Sequence, residues 1–156
     1  MKNFRTYLVA VLIPLAVGGL ASLLTSGNMM LYSEITKPPL APPAILFPIV
    51  WTILYILMGI GSARIYLKKE AMPDQTTNAL KTYVLQLGFN FFWSLIFFNL
   101  QTFFFAFIWL VVVWGLIIIM LYEFYKIDKF AAIINIPYLL WVTFALYLNL
   151  AIYILN

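Results

Sequence analysis

The chain has 156 residues, of which 65% are hydrophobic and only 9% are charged, and its formal net charge is +4. A soluble domain carries about 25% charged residues, so this chain cannot cover a water-facing surface and is predicted to lie in a lipid bilayer. It has no cysteine and no histidine, which excludes disulfides and removes the most common metal ligand and general base. We therefore expect no metal and no cofactor. The basic residues are scattered, which indicates membrane topology signals and no nucleic-acid surface.

A helix that crosses a bilayer needs about 20 mostly apolar residues. Five stretches meet this condition, which predicts an all-α fold: an integral membrane bundle of five transmembrane helices in a single domain. The predicted spans cover about 6–26, 44–67, 80–100, 103–125 and 130–155. The first span resembles a signal peptide but is long for one, so we keep it as a helix. We call the connection 27–43 the lid loop.

Basic residues show a strong asymmetry across these spans. The eight that fall on one side are Lys2, Arg5, Arg64, Lys68, Lys69, Lys81, Lys126 and Lys129. Only Lys37 falls on the other side. The positive-inside rule therefore predicts a cytoplasmic N-terminus, with the lid loop and the C-terminus outside.

Small residues mark packing faces on the first two spans. Gly18 and Ser22, and likewise Gly59 and Ala63, lie four residues apart, the spacing of closely packed membrane helices.

The lid loop leads into the second span through the sequence KPPLAPPAILFPIVWTILY, residues 37–55, and five of the chain's eight prolines fall between Pro38 and Pro48. Consecutive prolines make a stiff segment, which predicts a rigid lid above a cavity. The alternative is that the prolines only begin the second helix, since proline suits a first turn.

The third span carries polar residues on one face. Gln86, Asn90, Trp93 and Phe97 follow helical spacing, and amides facing lipid would be costly, so this face is predicted to point to protein or to a cavity. Either the amides only bond neighbouring helices, or they line a pocket in which Asn90 or the Trp93 N–H orients polar ligand groups. The two-residue link after this span makes the third and fourth helices antiparallel neighbours.

The fifth span places Tyr138, Trp141 and Ala145 on one face, with Leu148 or Asn149. Pro137 is predicted to kink the helix. Trp141 lies about 12 residues into the span, roughly 18 Å, which is too deep for an interfacial aromatic belt.

Residues on three of the predicted spans lie at similar depths in the bilayer. Counting residues from the helix ends puts Trp51, Trp93 and Ala145 in the outer half of the bilayer. These positions predict one cavity there, in which the indoles form walls and Ala145 leaves room.

Four segments together resemble the tryptophan-rich sensory protein or translocator protein family, also called the peripheral benzodiazepine receptor. They are KPPLAPP, FPIVWTILYILMG, the pattern Q-x-x-x-N-x-x-W-S-x-x-FF (Gln86–Phe98) and PYLLWVTFALYLN (Pro137–Asn149). The resemblance extends from Pro14 to Asn149. The absence of histidine and cysteine is similar to bacterial members, so we expect a bacterial cell membrane.

The resemblance implies a five-helix bundle, a homodimer in membrane lipid, and a receptor or carrier that binds porphyrins such as protoporphyrin IX, isoquinoline carboxamides and benzodiazepines. The binding positions that it implies are Pro42, Phe47, Trp51, Asn90, Trp93, Trp141, Ala145 and Leu148. Gln86 is expected to support Asn90, and Tyr32 is added for its position in the lid loop. Leu40 stands where many relatives have tryptophan, which lowers the number of indoles in the lid.

An alternative that the resemblance implies is light-dependent porphyrin degradation, with Trp51 as the central residue and Trp141 or Tyr138 as helpers. No group for dark catalysis is visible in the sequence. A proton-coupled exporter would need an embedded carboxylate, and none is found. The animal cholesterol motif needs a basic residue after a tyrosine near the C-terminus; Tyr153 has none after it, so we do not expect that motif to recognise cholesterol.

Overall fold

The computed structural model describes residues 2–28 and 30–156, and within those ranges the chain contains helices, turns and loops but no strand. The helices are α1 (Lys2–Thr25), α2 (Leu31–Glu34), α3 (Leu46–Tyr66), α4 (Pro73–Ser94), α5 (Phe103–Ile127), α6 (Lys129–Ile133) and α7 (Ile136–Leu155). A π-helical turn, Leu95–Asn99, extends α4, and a 3₁₀ turn, Ser26–Asn28, follows α1. The all-α prediction is confirmed.

Within the described ranges, four stretches are long and apolar enough to cross a membrane: Asn3–Asn28, Leu46–Tyr66, Phe103–Ile127 and Lys129–Leu155. They confirm an integral membrane protein and correspond to the first, second, fourth and fifth predicted spans. The third predicted span lies in α4, which is not among the four. The reason is compositional, because the first turns of α4 carry Asp74 and Lys81 with several amides and hydroxyls between them.

Two predicted boundaries are wrong. The third helix begins at Pro73 and not near residue 80, because proline is well suited to a first helical turn. The fifth predicted span is two helices, α6 and α7, and Pro137 lies in the first turn of α7 instead of kinking a continuous helix. The break is at Asn135, whose side-chain amide donates to the carbonyls of Ala131 at 2.9 Å and Leu57 at 3.3 Å.

The closest helix contact joins α1 and α3. A Cβ on Gly59 would collide with the backbone of Val11, so the two helices approach closely only because position 59 is glycine. This contact confirms the packing role predicted for Gly59. Gly18, further along α1, lies against the ring of Tyr55, where a Cβ would also collide.

The helices α4 and α5 run antiparallel and pack against each other inside the bundle. Phe89 and Trp109 stack with ring centroids 4.6 Å apart, and the Trp109 indole donates to the Phe89 carbonyl at 2.7 Å. The buried residues of α5 repeat every three or four positions, as expected for the inner stripe of a packed helix. They are Ala106, Leu110, Val113, Ile117, Met120, Phe124 and Ile127.

One end of the bundle is defined by contacts between loops and helix ends. The Asn28 side chain donates to the Asn99 side chain at 2.8 Å, so the end of α1 meets the end of the π-helical turn. At the same end, the backbone N–H of Thr36 donates to the side chain of Asn156 at 3.1 Å, and that side chain donates back at 2.9 Å. The lid loop and the C-terminus therefore lie on one side.

The opposite end is fixed by an ion pair between Arg64 and Asp128, whose Nε–Oδ2 distance is 2.9 Å. Asp128 also caps α6 by accepting from the backbone N–H groups of Phe130 at 3.0 Å and Ala131 at 3.4 Å. Burial on its own would raise the pKa of Asp128, but the hydrogen bonds from Arg64 and the cap outweigh it, and the pKa is lowered.

We expect Gly59→Ala to lower the free energy of unfolding by about 1–3 kcal/mol, because the new methyl group meets the backbone of Val11, which cannot rotate away. Gly115→Ala is the matched control, since a Cβ there meets nothing within 4 Å and alanine is the better helix former by about 0.5–1 kcal/mol. Reversible unfolding in detergent compares the two variants. Equal stability of both would contradict the close contact.

We expect the Asp128 carboxylate to make stability depend on pH. A lowered pKa means that the stabilisation is fully present above the ordinary value of 3.8 and is lost as pH falls through the lower folded value. The stability difference between wild type and Asp128→Asn should be constant near neutral pH and shrink below pH 3.8. A difference that stays constant down to the lowest pH at which the protein remains folded would contradict the ion pair.

Candidate functional site: an aromatic cavity under the lid loop

A cavity of about 750 Å³ lies between α1, α3, α4 and α7, at the end of the bundle that carries the lid loop. Its walls are mostly apolar and aromatic. Its formation depends on the diverging paths of α1 and α3, which touch at Gly59 and leave room between them nearer the lid loop.

Eight of the ten predicted binding residues line this cavity. They are Tyr32, Phe47, Trp51, Asn90, Trp93, Trp141, Ala145 and Leu148. The structure thus brings together Trp51, Trp93 and Ala145, the three positions that residue counts from the helix ends had placed in the outer half of the bilayer. That these residues bind a ligand stays a prediction.

Two predicted binding residues do not line the cavity. The carbonyl of Pro42 accepts a hydrogen bond from the Tyr32 hydroxyl, so Pro42 orients a lining residue instead of forming the wall. Gln86 is fully buried behind the cavity, where its side-chain oxygen accepts from the Tyr138 hydroxyl at 2.6 Å. Gln86 therefore positions Tyr138, and the support for Asn90 that we expected is not among its hydrogen bonds in the described chain.

Tyr138 itself is fully buried and lies outside the cavity wall. Its ring packs edge-on against Trp51, with centroids 6.1 Å apart. Trp51 and Trp141 both line the cavity directly, and the contact with Trp51 connects Tyr138 to the cavity wall.

Edge-on and tilted ring contacts connect the aromatic wall to the lid loop. Tyr32 and Phe47 have centroids 5.1 Å apart, and Phe47 and Trp141 have centroids 5.8 Å apart. Trp51 and Tyr55 follow one helical turn apart on α3, with centroids 5.5 Å apart. Such pairs hold each ring in one orientation and leave flat apolar surface facing the cavity.

The polar groups of the cavity differ in what they can still bind. The Trp93 indole N–H donates to the side chain of Asn149 at 3.0 Å, and Asn149 donates to the Phe103 carbonyl at 2.8 Å. The indole donor is therefore already used, which corrects the expectation that it orients a ligand. The side-chain NH₂ of Asn90 makes no hydrogen bond of normal geometry in the described part of the chain, although Asn90 is only 3% exposed and lies near the hydroxyls of Tyr55 and Tyr138.

A buried donor without a partner costs free energy, so the Asn90 amide is the group best placed to bind a ligand oxygen.

The lid loop is fastened to the bundle along its length. The Tyr147 hydroxyl donates to the Pro39 carbonyl at 2.6 Å, and Thr36 exchanges two hydrogen bonds with Asn156. Burial raises the pKa of Tyr32, so its phenol stays neutral and remains a donor to Pro42. Between these ties, Leu40 has φ 71°, a left-handed conformation that is uncommon outside glycine.

Sequence reasoning missed the α1 wall of the cavity and the π-helical turn. Gly18, Ser22 and Thr25 line the cavity from α1, and Phe98 lines it from the π-helical turn. The spacing of Gly18 and Ser22 was available as a signal but indicated only helix packing. Nothing in the residues of α4 signals a π-helical turn, a feature often found near functional sites.

The described residues of the cavity can bury a ligand, stack against it and form hydrogen bonds with it. Among the described residues, no group of three or more His, Cys, Asp or Glu side chains could hold a metal ion. The cavity wall carries no carboxylate or amine that could serve as an acid or base.

Fold and site together define a class: helical integral membrane proteins with an aromatic cavity beneath a proline-rich loop. The chain belongs to the TspO/MBR family, whose model matches residues 10–155. It is 34% identical over 156 residues to the tryptophan-rich protein TspO of Chlorobaculum tepidum, covering 99% of this chain and 98% of that protein. It is 33% identical to the tryptophan-rich sensory protein of Cereibacter sphaeroides, over 76% of this chain and 72% of that protein. It is 30% identical to the sheep translocator protein, over 76% of this chain and 70% of that protein. The predicted family is confirmed.

We expect Tyr138→Phe to destabilise the protein by about 1–3 kcal/mol, because the buried oxygen of Gln86 loses its donor. Tyr122→Phe removes a hydroxyl from a tyrosine that is 61% exposed and should change stability little. Unfolding in detergent compares both variants with wild type. If both behave alike, the contact between α4 and α7 does not stabilise the bundle.

Proposed function

We propose that the protein is a membrane receptor or carrier that binds porphyrins, represented by protoporphyrin IX, and hydrophobic drug-like ligands such as isoquinoline carboxamides and benzodiazepines. The observation that carries this proposal is the aromatic cavity of about 750 Å³, within the range of about 300–1,000 Å³ that is usual for small-molecule sites. Relatives named sensory and translocator proteins agree with a receptor or carrier.

The cavity offers complementary surfaces for a flat ligand with a few oxygens. The rings of Trp51, Trp141 and Phe47 present apolar area for stacking. The side-chain NH₂ of Asn90 offers N–H donors inside the cavity. Charged groups of a tetrapyrrole would remain at the outer surface, where Lys37 is exposed and lies 5.1 Å from the centre of the Tyr32 ring.

The proposal includes α4 as a fifth transmembrane helix. A six-residue link, 67–72, separates its beginning from the end of α3 near the Arg64–Asp128 ion pair, and its π-helical turn ends at Asn99 beside Asn28. The helix thus runs between the same two ends of the bundle as the four apolar spans. Its amides face inward, with Gln86 and Asn90 both buried, so a modest hydropathy does not prevent it from spanning.

With five spans, the charge asymmetry supports a cytoplasmic N-terminus and an outward-facing lid loop and C-terminus. We place the protein in a bacterial cell membrane. The family resemblance supports a homodimer in membrane lipid.

A second candidate is light-dependent porphyrin degradation. The contact between Trp51 and the buried Tyr138 favours it, because oxidisable rings then extend from the cavity wall into the bundle. In that case light-excited porphyrin would generate reactive oxygen from dioxygen, or exchange an electron with the indole of Trp51.

We expect Trp51→Phe to raise the Kd for protoporphyrin IX about three- to tenfold in the dark, since stacking area is lost while the fold is kept. Saturable quenching of tryptophan fluorescence in detergent measures the affinity. Trp114→Phe is the control, because Trp114 lies on α5 and does not line the cavity. Its indole N–H donates to the hydroxyl of Thr143 at 3.0 Å. Equal Kd values for wild type and Trp51→Phe would refute this site. Light-dependent loss of porphyrin absorbance that requires Trp51 would favour the second candidate.

A further inference from the structure

One flank of the cavity, between α1 and α3, is open. Gly19 and Ser22 of α1 line it, and so do Pro48 and Thr52 of α3. All four residues are also exposed. Residues that line a cavity and are exposed at the same time mark its opening. Since α1 and α3 are both apolar spans, this opening faces the bilayer.

The opening follows from how α1 and α3 cross. They are held together where Gly59 meets the backbone of Val11, and again where Gly18 meets the ring of Tyr55. Beyond Gly18, the small residues Gly19 and Ser22 continue along the same flank of α1. A Cβ built on Gly19 meets nothing within 4 Å, so no neighbouring side chain closes the gap at that point.

The rim of this opening has few polar groups, among them the hydroxyls of Ser22 and Thr52. The Thr52 hydroxyl donates to the Pro48 carbonyl at 2.7 Å, so its hydrogen atom is not offered to a passing ligand. Pro48 has no backbone N–H to offer. None of the four rim residues carries a charge.

The lid loop, in contrast, is tied down. Opening it would break the hydrogen bond from Tyr147 to Pro39 and the pair between Thr36 and Asn156. Its prolines would also resist bending. The cavity therefore has a side opening, which the exposed lining residues Ala44 and Ile45 extend to the start of α3, and a lid loop that is tied down at Thr36 and Pro39.

We infer that ligands enter and leave the cavity sideways from the lipid, through the opening between α1 and α3, while the lid loop stays closed. This inference rests on the proposed function and narrows its ligands to molecules that first dissolve in the bilayer. Flat hydrophobic rings meet this condition, whereas water-soluble anions of similar size do not.

The chain has no cysteine, so a single introduced thiol can be alkylated selectively. Ser22→Cys places the thiol at the opening, and Leu23→Cys places it on the adjacent residue, which is 69% exposed and does not line the cavity. Both are treated with N-cyclohexylmaleimide. Stopped-flow fluorescence with protoporphyrin IX in the dark then gives association and dissociation rates before and after alkylation.

We expect alkylation of Ser22→Cys to slow both rates by about tenfold or more while Kd changes much less, since a plugged route blocks both directions. Alkylated Leu23→Cys should keep its rates. A rise in dissociation rate alone, with a matching rise in Kd, would mean that the added group clashes inside the cavity, and would overturn the inference.

A second variant tests the lid loop directly. Thr36→Cys combined with Asn156→Cys allows a disulfide to replace the hydrogen bonds between these residues, and a reductant reverses it. We expect equal association rates with the bond formed and reduced. Association that stops when the bond forms, and is unaffected by alkylation at position 22, would assign the route to the lid loop. Absence of saturable binding by the wild type would instead refute the proposed function itself.

Discussion

Two hydrogen bonds join α4 to α7 inside the bundle, and the placement of the polar residues of the cavity depends on them. In a bilayer, leucine gains little by leaving lipid for a helix interface, so hydrogen bonds and close packing decide which faces meet. Tyr138 donates to Gln86, and Trp93 donates to Asn149. These two bonds, seven residues apart on α4, fix its rotation against α7. The same rotation directs Asn90 and Trp93 toward the cavity.

The cavity is then a consequence of unequal packing. On the side of α5, stacked aromatic and apolar residues fill the space, as Phe89 and Trp109 show. On the side of α1 and α3, close contacts at Gly59 and at Gly18 bring the helices together. Nearer the lid loop the helices leave a volume that rings border without filling. The fastened lid loop covers this volume from above, and the opening between α1 and α3 joins it to the lipid.

Much of this arrangement could be predicted from the sequence, because the bilayer restricts what apolar residues can do. Helical spacing placed Gln86, Asn90 and Trp93 on an inward face, and depth arithmetic placed Trp51 and Ala145 at one level. The break before α7 and the partner of Gln86 depend on contacts between distant helices, which residue spacing along one helix does not reveal.

Pro137 lies in the first turn of α7 because the chain breaks at Asn135, whose side chain donates to carbonyls on α6 and on α3, which is distant in sequence. Gln86 supports Tyr138 and not Asn90, because its hydrogen-bond partner Tyr138 lies on another helix, α7.

If a ligand occupies this cavity, a large side chain placed in the cavity should abolish binding. Ala145→Phe adds a ring to the cavity wall, whereas Ala16→Phe adds the same ring to an exposed part of α1 outside the cavity. In a dark titration with protoporphyrin IX, we expect Ala145→Phe to lose saturable binding and Ala16→Phe to keep it. Wild-type affinity in a well-folded Ala145→Phe protein would contradict this expectation.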